Sequence, residues 1–159
     1  MAAGAAARTM KGPPSLEPFG LVLHHDGSWT HEGQLITNRM LRERFDRAVR
    51  YLPDEAKYVV QIRHFRGEIE VEETGFFVRL FDPDTGELQL SDLTVEPLDV
   101  STLSLSPRDG ALLCCVKRDL VSGGLAARFL HASHSEFMNA VDESGGAVVI
   151  AGASHALPL

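Results

Sequence analysis

The sequence predicts an α+β fold of two similar halves, each built mostly of antiparallel strands with one helix. Three observations carry that expectation. Asp26-Gly27-Ser28-Trp29, followed by Gly33, Ile36, Leu41 and Phe45, sets a turn, a short strand and an amphipathic helix in fixed register. A similar sketch recurs where Leu125 to Leu130 lead through Ser133 into Phe137 to Val141. Between the two lie several runs whose apolar residues alternate with period two, as half-buried strands do.

The 159 residues, 44% of them apolar and 23% charged, suffice for one globular domain or two small halves sharing a core. Residues 1–18, made largely of Ala, Gly and Pro, read as a disordered N-terminal tail. Its six small residues Ala2 to Ala7 are too few and too weakly apolar for a signal-peptide core. Residues 19–90 read as a strand, a helix and a meander. Residues 91–159 read as a second half and a candidate repeat of the first.

Phe19 to Leu23 reads as a strand and His24-His25-Asp26-Gly27 as a hairpin turn, because Asp-Gly readily supplies positive φ. Trp29 starts the second strand. Thr37-Asn38 offers capping oxygens to a helix whose apolar positions Met40, Leu41, Phe45, Ala48, Val49 and Leu52 are helically spaced and end at Pro53. Its charged residues are Arg39, Arg42, Glu43, Arg44, Asp46, Arg47 and Arg50; five arginines on one helix suit an acidic ligand, but the i,i+4 pairs Glu43-Arg47 and Asp46-Arg50 favour a solvated face.

From Tyr58 the pattern alternates: Tyr58, Val60, Ile62 and His64 on one face, Val59, Gln61, Arg63 and Phe65 on the other. Arg66-Gly67 reads as the turn, Glu68 to Glu72 as the returning strand, and Gly75 to Phe81 as a third strand of an antiparallel meander. Asp82-Pro83-Asp84-Thr85-Gly86 marks a loop before the strand Glu87 to Leu90. Pro97 and Pro107 interrupt the pattern between Ser91 and Asp109, the expected boundary between halves.

Strands resume at Ala111, and Leu112 to Lys117 and Leu125 to Leu130 flank a turn containing Ser122-Gly123-Gly124. Ser133-His134-Ser135-Glu136 has the form of a capping box opening the second helix, and Ala147 to Ala151 reads as a last strand. Phe45-x-x-Ala48-Val49 and Phe137-x-x-Ala140-Val141 match, which favours a duplicated unit.

The spacing Asp26-Gly27-x-Trp29-x3-Gly33-x2-Ile36-x4-Leu41-x3-Phe45, then Tyr58, then Ile69 to Glu73 and Phe76, resembles the uncharacterised bacterial family catalogued as domain of unknown function 1285. The resemblance runs from about Phe19 to Leu159 and includes the closing Leu157-Pro158-Leu159. It implies a small α+β fold of two similar halves, with roles in ligand sensing or signal transduction and no established activity. Where that family often has Thr-Pro-Val-Glu-Lys after the first long strand, this chain reads Gln61-Ile62-Arg63-His64-Phe65-Arg66.

The formal net charge of −7 opposes nucleic-acid or anionic-membrane partners. No run approaches the length of a membrane-spanning helix. Cys114 and Cys115, adjacent in an apolar run, read as packing residues, so the expected location is the cytoplasm. The seven histidines, His24, His25, His31, His64, His131, His134 and His155, lack metal-ligand spacing, and no metal, cofactor or catalytic residue is assigned. Trp29 and His31, sharing a strand face, and His64, interrupting an apolar one, are the candidate ligand-binding residues. The favoured function is a non-enzymatic ligand-binding or protein-interaction module with a regulatory role. Its groove lies between the halves, and its strand edges suit homodimerisation. The alternative is a small hydrolase or metal-dependent enzyme using His31 or His64.

Overall fold

The computed structural model describes residues 17–63 and 65–159. Its first half comprises β1 (Glu17–Leu23), β2 (Trp29–His31), β3 (Gln34–Leu35), α1 (Arg39–Ala48), β4 (Val49–Leu52), β5 (Lys57–Ile62) and β6 (Phe65–Val71). The second comprises β7 (Phe76–Asp82), β8 (Glu87–Leu90), β9 (Val95–Pro97), a 3-10 turn (Val100–Thr102), β10 (Ser104–Leu105), β11 (Leu112–Val116), β12 (Leu125–Phe129) and α2 (His131–Ala140). It closes with β13 (Ala147–Ile150) and β14 (Ala153–Ala156).

One sheet runs β3-β2-β1-β6-β5-β4 and the other β10-β11-β12-β7-β8-β9, with β13-β14 a separate hairpin. Each six-stranded sheet is a pair of three-stranded antiparallel meanders joined by one parallel pair. Its first and sixth strands make that pair: β1 with β6, and β7 with β12. The α+β class and the two similar halves are therefore as expected. A continuous core that includes Trp29, Phe76, Phe77, Phe81 and Phe137 runs through both halves.

The helices do not correspond in the way the shared Phe-x-x-Ala-Val suggested. α1 sits between the third and fourth strands of its sheet, where the second half has only the 3-10 turn, and α2 follows a sixth strand. The repeat lies in strand order, and the helical match reflects two amphipathic helices meeting the same packing need. The meander also breaks: β5 and β6 form a hairpin, but β7 opens the second sheet. Residues 76–90, grouped by sequence with the first half, pair within that second sheet.

Gly75 stands at the crossing. A Cβ there would lie 2.2 Å from Tyr58 Cε1, so glycine lets the chain pass against the tyrosine ring.

Local differences have local causes. β1 begins at Glu17, two residues earlier than expected, while the tail prediction for residues 1–16 lies outside the described residues. α1 is capped as expected, Asn38 Oδ1 accepting from Leu41 N at 3.0 Å. It stops at Ala48, however, because Val49 to Leu52 pair with Lys57 to Val60 across the Pro53-Asp54-Glu55-Ala56 turn. Met40, expected on the buried face, is 81% exposed. The β5–β6 turn falls at Arg63, with φ of 56°, and Gly67 lies inside β6 between Val60 and Glu17.

Candidate functional site: a charged cleft between the halves

A cleft of about 360 Å³ opens where the two halves meet. The first half supplies the Asp26-Gly27-Ser28 turn and one face of α1: Arg39, Arg42, Glu43 and Asp46, spaced i, i+3, i+4, i+7. The second supplies Phe77 and Arg79 of β7, Ser91 and Leu130. The α1 face read from sequence as solvated in preference to ligand-binding is thus turned toward the other half.

Arg79 reaches the cleft because β7 is irregular there. Val78 pairs with Leu90 and Leu80 with Gln89, so Arg79 is an extra residue, a β-bulge of the kind that re-aims a side chain. β12 pairs with β7 only as far as Val78, leaving the rest of that strand edge open. Helix α2 covers it. Ser133 Oγ donates to the Val78 carbonyl at 2.6 Å, and Glu136 Oε1 accepts from Phe81 N at 3.1 Å. These two bonds bracket the bulge.

They also correct the capping box. α2 begins at His131 with no side-chain cap from Leu130; Ser133 Oγ donates to the Val78 carbonyl and also lies 3.0 Å from the Leu130 carbonyl, and Glu136 accepts from β7. A buried strand edge needs partners more than an exposed helix start, which water satisfies.

Charge within the cleft is unevenly spent. Arg39 pairs with Glu43 at 3.1 Å, and Asp26 Oδ1 accepts from Ser28 N and Oγ at 3.0 and 2.7 Å. The side chains of Arg42 and Arg79 make no hydrogen bond or ion pair among the described residues, and Arg42 Nε is buried without a partner. Asp46 faces both. Burial raises its carboxyl above the ordinary value of 3.8, against the hydrogen bond from Trp29 and the charges of Arg79 and Arg42.

Trp29, predicted as a ligand-binding residue, is fully buried; its ring packs on Phe45 at 5.4 Å. Its Nε1 donates to Asp46 Oδ1 at 2.8 Å, so it fixes a cleft residue without lining the cleft. His31 lies elsewhere, in an apolar groove of about 300 Å³ with Leu21, Ile36, Leu41 and Phe45. The structure separates the two although they share a strand. His64 lies outside the described residues.

His24 and His25, in the turn after β1, converge on Glu72. His24 Nδ1 is 3.2 Å from Glu72 Oε2, and His25 N donates to Oε1 at 3.0 Å. The neighbouring Glu73 accepts from Arg128 Nη1 at 3.0 Å and from Ser106 Oγ. Consecutive carboxylates in the link between the sheets therefore tie the β1–β2 turn to the second half. No group of three or more His, Cys, Asp or Glu side chains suited to a metal ion occurs among the described residues. Cys114 is buried, and its thiol is pushed up to about 12, chiefly by that burial.

From sequence, Arg42 and Asp46 read as part of a solvated helix face in preference to an acidic-ligand one, and Arg79 and Ser91 are not singled out. An arginine inside the apolar run Phe76-Phe77-Val78-Arg79-Leu80-Phe81 was the available signal, since a charge in an otherwise apolar strand needs a reason. No helix among the described residues is long and apolar enough to cross a membrane.

No family model and no curated protein matches the chain significantly. Two solved structures share its fold. A DUF1285 family protein from Silicibacter pomeroyi DSS-3 superposes with a TM-score of 0.62 at 15% identity, covering 93% of this chain and 84% of that one. A DUF1285 family protein from Shewanella baltica OS155 superposes with a TM-score of 0.50 at 18% identity, covering 77% of this chain and 91% of that one. The chain therefore has the fold of the DUF1285 proteins that its motifs resemble.

Proposed function

We propose that this chain is a DUF1285 family member acting in the cytoplasm as a non-enzymatic ligand-binding module with a signalling or regulatory role, and that its site is the cleft between the halves. The observation that supports this most is the bulge at Arg79, held open by Ser133 and Glu136 and aimed at a cleft where Arg42 also has unspent donors. Buried polar groups ordinarily find partners, and binding sites are where proteins hold them in reserve. Because both halves line the cleft, an occupant bridges them, and bridging is how binding biases the arrangement of two bodies. The free thiols Cys114 and Cys115 suit a reducing compartment.

The enzyme alternative draws no support from His31, whose groove is lined by aliphatic and aromatic side chains. That groove, with Leu41 exposed at its rim, favours the protein-interaction form of the module as a second reading.

An amide NMR screen of a small-molecule library against the full chain tests the main reading. Ligand-induced shifts clustering at Gly27, Arg42, Phe77, Arg79 and Ser91, with the compound recovered unchanged, are expected. Shifts confined to the His31 groove, or chemical turnover of the compound, would contradict it.

A further inference from the structure

We infer that the ligand of this cleft is a small monocarboxylate, its acid group held by Arg42 and Arg79 and its apolar body laid against Phe77 and Leu130. The inference rests on the cleft being the binding site. Of the charges that line it, Arg39 is committed to Glu43 and Asp26 to Ser28. That leaves the donors of Arg42 and Arg79 facing the carboxylate of Asp46, which already accepts from Trp29. Asp26 keeps its charge, so the lining balances at three arginines and three carboxylates; what stays unspent is the hydrogen-bond donors of Arg42 and Arg79, from which a carboxylate accepts.

Geometry narrows the class further. A guanidinium matches a planar carboxylate with two parallel N–H donors, and Arg42 Nε is a buried donor with no other use. Ser91 Oγ accepts from Phe77 N at 3.0 Å and retains its own proton to donate. The carboxylates of Asp26, Glu43 and Asp46 on the same walls repel di- and triphosphates, a discrimination built from unfavourable charge as well as favourable contact. A volume of about 360 Å³ suits a molecule of modest size.

Isothermal titration of the full chain at neutral pH and low salt, with hexanoate, benzoate, hexanol and inorganic phosphate as probes, tests this. Hexanoate or benzoate should bind saturably with one site, and hexanol and phosphate about tenfold or more weaker. Arg79→Gln and Arg42→Gln should each weaken carboxylate binding by about tenfold or more. Arg44→Gln, exposed and outside the cleft lining, should leave it unchanged. Urea midpoints of all variants verify that the fold is retained, and Arg79→Lys, keeping charge without the fork, should bind at an intermediate level.

Hexanol binding as tightly as hexanoate, phosphate binding more tightly than either acid, or carboxylate binding indifferent to both arginine substitutions would each overturn the inference. If no carboxylate binds while the NMR screen finds neutral ligands in the cleft, the ligand class falls and the cleft reading stands. If neither experiment finds a cleft ligand, both fall.

Discussion

Glu136→Ala removes the side chain that accepts from the Phe81 amide on the open side of β7, and its cost follows from where that amide sits. Phe81 is fully buried, and β12 has already ended at Val78, so no strand waits to accept the freed N–H. An orphaned buried donor forfeits its full desolvation free energy, about 1–3 kcal/mol. For a domain of this size that lowers the melting temperature by roughly 3–9 °C. Glu136→Gln retains an acceptor and loses only the charge assistance, so its cost is about 1 kcal/mol.

Urea unfolding followed by the single tryptophan, Trp29, gives both numbers, and hydrogen exchange at Phe81 shows whether the loss is local. A Glu136→Ala midpoint indistinguishable from the parent, or Glu136→Gln as damaging as Glu136→Ala, would refute the view that α2 braces the bulge through this bond.

Gly75→Ala should destabilise by about 1–3 kcal/mol, the usual cost of overpacking, because its methyl meets the Tyr58 ring; a neutral urea midpoint would show that the crossing has slack. Phe45→Ala should cost about 2–3 kcal/mol in the same assay, below the 3–5 of a fully buried phenylalanine, since Phe45 is only partly buried against Trp29. Acid should loosen the link between the sheets. Glu72, bonded by His25 N–H first and then by the histidine rings, is held down at about 2, and Asp109 is held there chiefly by Arg128. Carboxyls depressed in the folded state stabilise it above their ordinary values of 4.5 and 3.8, and that stability is lost as pH falls from there toward about 2. The urea midpoint should therefore decline below about pH 4.5, and Asp109→Asn should flatten the decline; an unchanged slope in that variant would count against the linkage.

Short-range chemistry was legible in the sequence. Asp26-Gly27 turns β1 into β2, with Gly27 at φ of 88°, and Asn38 caps α1. These features depend on neighbours a few residues away. Features that depend on distant partners were not legible. Val49 to Leu52 continue a helical apolar pattern yet form a strand, because Lys57 to Val60 offer a ladder. Ser133 and Glu136 have the spacing of a capping box yet serve a strand whose sequence lies some fifty residues earlier. The bulge at Arg79 exists only relative to Leu90 and Gln89, so no reading of β7 alone reveals that its arginine turns into the cleft. Trp29 stands out in the sequence as the single tryptophan, and in the structure it donates to Asp46 from the core. Fold likeness to the DUF1285 structures carries no function with it, which is why the functional reading rests on the cleft.

Native mass spectrometry of freshly purified parent protein beside Arg79→Gln tests the central claim most directly. The account predicts a small organic mass retained by the parent and lost from the variant, with both folded. An equal mass retained by both, or an adduct on the parent that hydrolyses or turns over, would contradict it.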